Sequence, residues 1–222
     1  MNPPSAALLE AARYAVLRRL VPALRHKLMS ELHPIAMTAD LAARRLQAAQ
    51  PDLASLRDGS AKIKAQTQAA AASCAAVMVW LAPQPAIVTP LATAVRECLA
   101  LLGAELGMRG FDIEETLEAG AAVVSQSALR SVLVASLLAL TDALPQPADI
   151  ELTATQGASC VDLRIRARAA ERIADMPGTQ EYRAIRWDDV EALASAEGVA
   201  LFREPGGALL RYPLFSPARG AD

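Results

Sequence analysis

Between about Ser5 and Gln47, Leu17, Val21, Leu24, Leu28, Leu32, Ile35, Ala39, Ala42 and Leu46 recur every three or four residues. That spacing draws an apolar stripe along one face of a long helix, and the stripe requires a partner. Gln50-Pro51-Asp52 interrupts the pattern with a residue that cannot continue a helix and one that can cap the next. From about Leu53 to Leu81 a second stretch repeats Leu56, Ile63, Ala70 and Val77 every seven residues, with Thr67, Cys74 and Leu81 four further on, which is the spacing of a coiled-coil-like seam. The two stretches predict a helical hairpin. Residues such as Leu32 and Leu46 remain on its outer flanks, and pairing of two hairpins into a four-helix bundle, a homodimer, would cover them.

Composition agrees with close helix packing: 53% of the 222 residues are apolar, alanine supplies much of that share, and aromatic residues make up only 4%. A formal charge of −2 gives no general attraction to nucleic acid or to anionic membranes, so neither is an expected partner. Cys74, Cys98 and Cys160 are an odd number without metal-ligand spacing, which fits a reducing compartment. The first residues lack the pattern of a signal peptide, and the apolar run Ala69–Leu81 is too short to span a bilayer. A cytoplasmic chain is expected.

The second half reads differently. Pro83-Gln84-Pro85 is a stiff junction and marks the expected boundary between segments 1–83 and 84–222. Thr89 as cap and Pro90 in the first turn open a predicted helix to about Leu106, and short strands follow near Phe111–Glu115 and Ala122–Val124. A long apolar helix from about Ser127 to Leu144 precedes two strands, Asp149–Thr155 and Cys160–Arg168, in which Ile150, Leu152, Ala154 and Val161, Leu163, Ile165 alternate with polar residues. A helix at Trp187–Glu197 and a final hairpin, Val199–Arg203 and Ala208–Tyr212 around Glu204-Pro205-Gly206-Gly207, complete an α+β chain. Asp188 and Asp189 fall at a helix start, where carboxylates cap and stabilise the helix dipole.

Only two histidines occur, His26 and His33, and both fall on the first helix, seven residues apart. With Val21, Leu28 and Ile35 in the first heptad position, both stand at the sixth, away from the hairpin core. A separation of roughly 10 Å along the axis is too great for both to ligate one metal ion. The segment Leu24-Arg25-His26-Lys27-Leu28-Met29-Ser30-Glu31-Leu32-His33-Pro34-Ile35, continuing to Ala39-Asp40-Leu41, resembles the phosphoacceptor helix of bacterial sensor histidine kinases. His26, Leu28, Leu32 and Pro34 match the spacing of acceptor, two leucines and a helix-bending proline. The resemblance implies His26 as the group that takes and passes on a phosphoryl group, with Arg25, Lys27, Met29, Ser30 and His33 as the residues around it that a partner would meet. Where such kinases usually carry an acid directly after the acceptor, this chain has Lys27.

The order of elements in residues 84–222 resembles the ATP-binding domain that follows the dimerising hairpin in the same family, a mixed sheet with helices on one side. Leu129-Arg130-Ser131-Val132-Leu133, leading to Thr141-Asp142-Ala143, is similar to its asparagine-bearing helix, but Ala135 and Ala139 stand where the family's magnesium- and phosphate-holding asparagines align. Asp175-Met176-Pro177-Gly178 is the closest string to the adenine-binding box, and Glu181-Tyr182-Arg183-Ala184-Ile185 replaces the second glycine-rich loop. The resemblance therefore implies a histidine phosphotransfer protein without ATP-dependent autokinase activity, relaying phosphoryl groups between response-regulator receiver domains. It needs no cofactor of its own, magnesium being carried by the partner receiver. The alternative is a noncatalytic pseudokinase or scaffold that binds a receiver or kinase without accepting phosphate.

Overall fold

The structure is a computed structural model and describes residues 6–81, 87–170 and 182–215. The junction Pro83-Gln84-Pro85 lies outside the described residues. Two long helices, α1 (Ala6–Leu46) and α2 (Leu53–Leu81), come first, followed by β1 (Val88–Pro90), α3 (Leu91–Met108), β2 (Asp112–Leu117), β3 (Val123–Ser125), α4 (Gln126–Ala143), β4 (Ala148–Gln156), β5 (Cys160–Ala169), α5 (Trp187–Ala196), β6 (Ala200–Glu204) and β7 (Gly207–Pro213). The fold is the expected α+β class, a helical hairpin followed by an α/β sandwich. Contacts divide it into two compact units: Val21–Pro83, and Met1–Leu20 together with Gln84–Asp222. The first turns of α1 thus belong to the α/β unit.

In the hairpin unit, Asp52 Oδ1 accepts the backbone N–H groups of Ala54 (3.0 Å) and Ser55 (3.2 Å) and so caps α2 as its position predicts. Arg45 bonds the Ser55 hydroxyl across the turn, and Thr38 Oγ1 lies 3.3 Å from Gln66 Oε1 further along. Leu56, Ile63, Ala70 and Val77 turn inward together with Gly59, Gln66 and Ser73. The positions four residues further on do not: Thr67 and Cys74 are exposed, and the residues three along face the partner instead, a Cβ on Gly59 coming within 4.0 Å of the Ala42 Cβ. Val21, expected in the seam, is 45% exposed. Leu32 (45%) and Leu46 (59%) leave the hairpin with apolar flanks open in a single copy.

The α/β unit is built on a five-stranded sheet ordered β2-β4-β5-β7-β6, in which only β2 and β4 run parallel, plus a small β1-β3 pair. Alternation separates the sheet's faces: Ile150, Leu152, Ala154, Val161, Leu163, Ile165, Ala208, Leu210 and Tyr212 are buried, while the opposite face carries ion pairs such as Arg168–Glu151 (2.5 Å) and Arg211–Asp162 (2.7 Å). Helix α4 is apolar around most of its circumference and buried along most of its length, with Leu129, Leu133, Leu137 and Leu138 fully enclosed. The Ser125 hydroxyl accepts the Ala128 N–H (3.3 Å), so α4 starts at Gln126. The expected cap of α3 is corrected: Thr89 pairs with Val124 in β1-β3, and Pro90 takes the N-cap position without a side-chain bond. Carbonyls of Ala122 and Gly120 accept the first helical N–H groups, of Leu91 (2.8 Å) and Ala92 (3.0 Å), which removes the need for a hydroxyl. Between β6 and β7, Pro205 and Gly206 turn the chain; Gly206 adopts φ 71°, and the next residue, Gly207, sits so close to the Ile165 carbonyl that a Cβ would lie 2.0 Å from its oxygen.

Candidate functional site

His26 is exposed on α1. Leu24, Leu28 and Ile35, which are buried or half-buried, lie about 160–200° around the helix from it, so the imidazole projects from the side opposite the packed face. Met29, Ser30 and His33, at three, four and seven residues on, share its side of the helix and are likewise exposed. The Ser30 hydroxyl is turned back to donate to the Lys27 carbonyl (2.7 Å). Arg25 and Lys27 are exposed too, but as immediate neighbours they diverge by about 100° to either side of His26 rather than standing beside the ring. The sequence therefore groups Met29, Ser30 and His33 with His26 on one face, and places the two cations as flanks. Pro34 lies inside α1, which runs through it as one helix; lacking an N–H, it leaves the Ser30 carbonyl without its usual helical donor.

The positions aligned with nucleotide chemistry look different. Ala135 and Ala139 are 0% and 1% exposed, methyl groups in the packed interior of α4, and supply no oxygen to a metal. Of the replaced loop, Ile185 is buried and its N–H donates to Asp142 Oδ2 (2.9 Å). Asp175-Met176-Pro177-Gly178 and Glu181 lie outside the described residues. Asp189 accepts the Arg186 N–H (2.9 Å) and both terminal nitrogens of Arg183 (2.8 Å each), closing a capping box at the start of α5. Burial works against its charge, but the Arg183 guanidinium and the Arg186 N–H hold the carboxyl below the usual aspartate range. Among the described residues no group of three or more His, Cys, Asp or Glu is placed to hold a metal ion, and no helix is long and apolar enough to cross a membrane.

Two further features were not anticipated from the sequence. Arg19, only 5% exposed, donates to Asp142 Oδ2 (2.8 Å) and Glu105 Oε1 (2.6 Å), while Arg109 reaches Asp142 Oδ1 (3.0 Å) and the Thr141 carbonyl (3.0 Å). The available signal was a charge inside a stripe: Arg19 follows Ala12, Ala15 and Val16 at helical spacing, on the face that Leu20 also buries. Separately, a cavity of about 230 Å³ is lined by Ser125, Ser127, Glu197, Tyr212 and Phe215 among others. Ser127 donates to Glu197 Oε2 (3.0 Å), and the buried Tyr212 hydroxyl has no hydrogen-bond partner among the described residues.

No protein-family model matches the chain, and no curated protein does. Among solved structures it is similar to the Acinetobacter baumannii histidine kinase AdeS, with 9% identity and a TM-score of 0.43 over 82% of this chain and 96% of that one. A histidine kinase from Burkholderia phymatum matches at 15% identity and a TM-score of 0.43, over 88% of this chain and 97% of the other. A bacterial phosphotransferase matches at 14% and 0.42, over 95% and 98%. These likenesses are remote, and the chemistry of the site rests on its own residues.

Proposed function

We propose that this chain is a phosphorelay protein of two-component signalling that takes a phosphoryl group on His26 and hands it on. The supporting observation is the placement of His26: an exposed imidazole on the side of α1 opposite its packed face, with Met29, Ser30 and His33 beside it. A neutral imidazole nitrogen attacks the phosphorus of an aspartyl phosphate on one receiver domain; the N–P bond forms, the P–O bond to the aspartate breaks, and the freed carboxylate departs with its receiver. The ring N–H proton is shed to solvent, and the reverse exchange delivers the group to an aspartate of a second receiver. Arg25 and Lys27, one on each flank, supply positive charge to the approaching phosphate. Magnesium belongs to the receivers in this scheme. The methyl groups of Ala135 and Ala139 do not fit a magnesium–nucleotide complex, so no step is drawn through ATP.

Incubation with a phosphorylated receiver should place acid-labile phosphate on the native chain and none on His26→Ala, while His33→Ala is labelled like the native protein. Equal labelling of His26→Ala would end the assignment. Tight receiver binding with no label on any variant would instead favour a noncatalytic scaffold.

A further inference from the structure

Residues 6–20 of α1 are fastened to the α/β unit mainly by charge. Their buried apolar contribution is small: Ala12, Ala15, Val16 and Leu20, while Leu8 and Tyr14 remain 39% and 59% exposed. Against this stand several polar attachments among the described residues. Arg19 is held between Asp142 and Glu105, at 2.8 and 2.6 Å. The Arg18 guanidinium lies 4.6 Å from the centre of the Tyr182 ring. Arg183 donates to the Ala11 carbonyl (3.5 Å), and Arg13 lies 3.8 Å from Glu197. The attachment points lie on α3, on α4, on the stretch before α5 and just after α5. These points are on the helices or beside them, and the sheet's own ladders β4-β5 and β5-β7 close between strands.

We propose that Ala6–Leu20 is a latch over this helical face, able to open as a unit while the sheet stays folded, with Arg19 as its bolt. The two carboxylates that hold the bolt are shared: Arg109 also contacts Asp142 (3.0 Å) and Glu105 (3.8 Å). When Arg19 withdraws, Asp142 keeps the Arg109 guanidinium and the Ile185 N–H, while Glu105, whose side chain is already 29% exposed, is left to water, so the buried acid is not stranded in the open face. A helix held by small side chains and a few ionic contacts belongs to the low-stability end of a fold, where local opening precedes global unfolding. This latch is independent of any role for His26.

Native-state hydrogen exchange on the full chain tests it. Arg19→Met keeps the stem and removes the charge; amides of residues 6–20 should then exchange roughly 100-fold faster or more, the scale of breaking a buried pair, while those of β4, β5 and β7 stay within about threefold of native. Glu105→Gln, on the more exposed side of the bolt, is the gentler cut and should give a smaller acceleration, on the order of tenfold, confined to the same residues. Unchanged exchange in 6–20 for both variants would overturn the proposal. So would strands losing protection in step with 6–20 in the Glu105→Gln protein, since the segment would then be an inseparable part of the core.

Discussion

Asp189 shows how a single carboxylate can organise a helix start. It is 3% exposed, yet it stays charged because two guanidinium nitrogens and a backbone N–H converge on it. A carboxyl whose folded pKa lies below its unfolded value contributes stability that is complete above the unfolded pKa, near 3.9 for an ordinary aspartate, and is lost as pH falls through the lower, folded value. Acid titration followed by circular dichroism should therefore show native stability declining as pH drops below about 4. Asp189→Asn should flatten that decline while lowering stability at neutral pH by about 1–3 kcal/mol, the cost of breaking a charged hydrogen-bonded pair. An unchanged acid limb in the variant would refute this role. The capping position of Asp189 was legible in the sequence from two acids before an apolar helix; its partner Arg183 was not, because that contact depends on how the preceding stretch folds back.

Among the elements, periodicity carried the sequence reading furthest. The limits of α1, α2, α4 and α5, and the pairing of β4 with β5, fall within one or two residues of where apolar spacing puts them. What escaped was set by partners rather than by local pattern. Thr89 looks like a helix cap until the carbonyls of Ala122 and Gly120 are seen to occupy that role. Thr67 and Cys74 continue a seven-residue count, yet the inward side of α2 follows Gly59, Gln66 and Ser73. The candidate site divides in the same way: the outward position of His26 follows from the heptad count, whereas Arg19 needs Asp142 and Glu105, far away in sequence, to explain its burial. Glycine gives a clean test of helix propensity. Gly103 lies on the exposed side of α3, and a Cβ there would meet nothing within 4 Å. Gly103→Ala should stabilise the α/β unit by about 0.5–1 kcal/mol in denaturant unfolding; a loss of stability would show that the open space at Gly103 is needed.

For the molecule as a whole, the exposed flank of the hairpin is the feature without an explanation in one copy. Val21 and Leu32 lie about 120–140° around α1 from His26, so a second hairpin seated on that flank would leave the imidazole uncovered. Sedimentation should report twice the chain mass, and Leu32→Asp should shift the species toward a single chain while His26 still accepts phosphate at high protein concentration. A native protein that sediments as one chain at every concentration would rule out the bundle.

The parallel pairing of β2 with β4 has a consequence in time. β4 and β5 are joined by a short turn and can zip together early, but Asp112 meets Asp149 only after the chain between them, including all of α4, has been brought round. Refolding should accordingly protect the β4 and β5 amides before those of β2, an order that pulse-labelled exchange can read; β2 protected as early as β4 and β5 would contradict it. The edge strand beside β4 thus joins after the hairpin has formed, and until it does a refolding chain carries β4 with one side still seeking its neighbour.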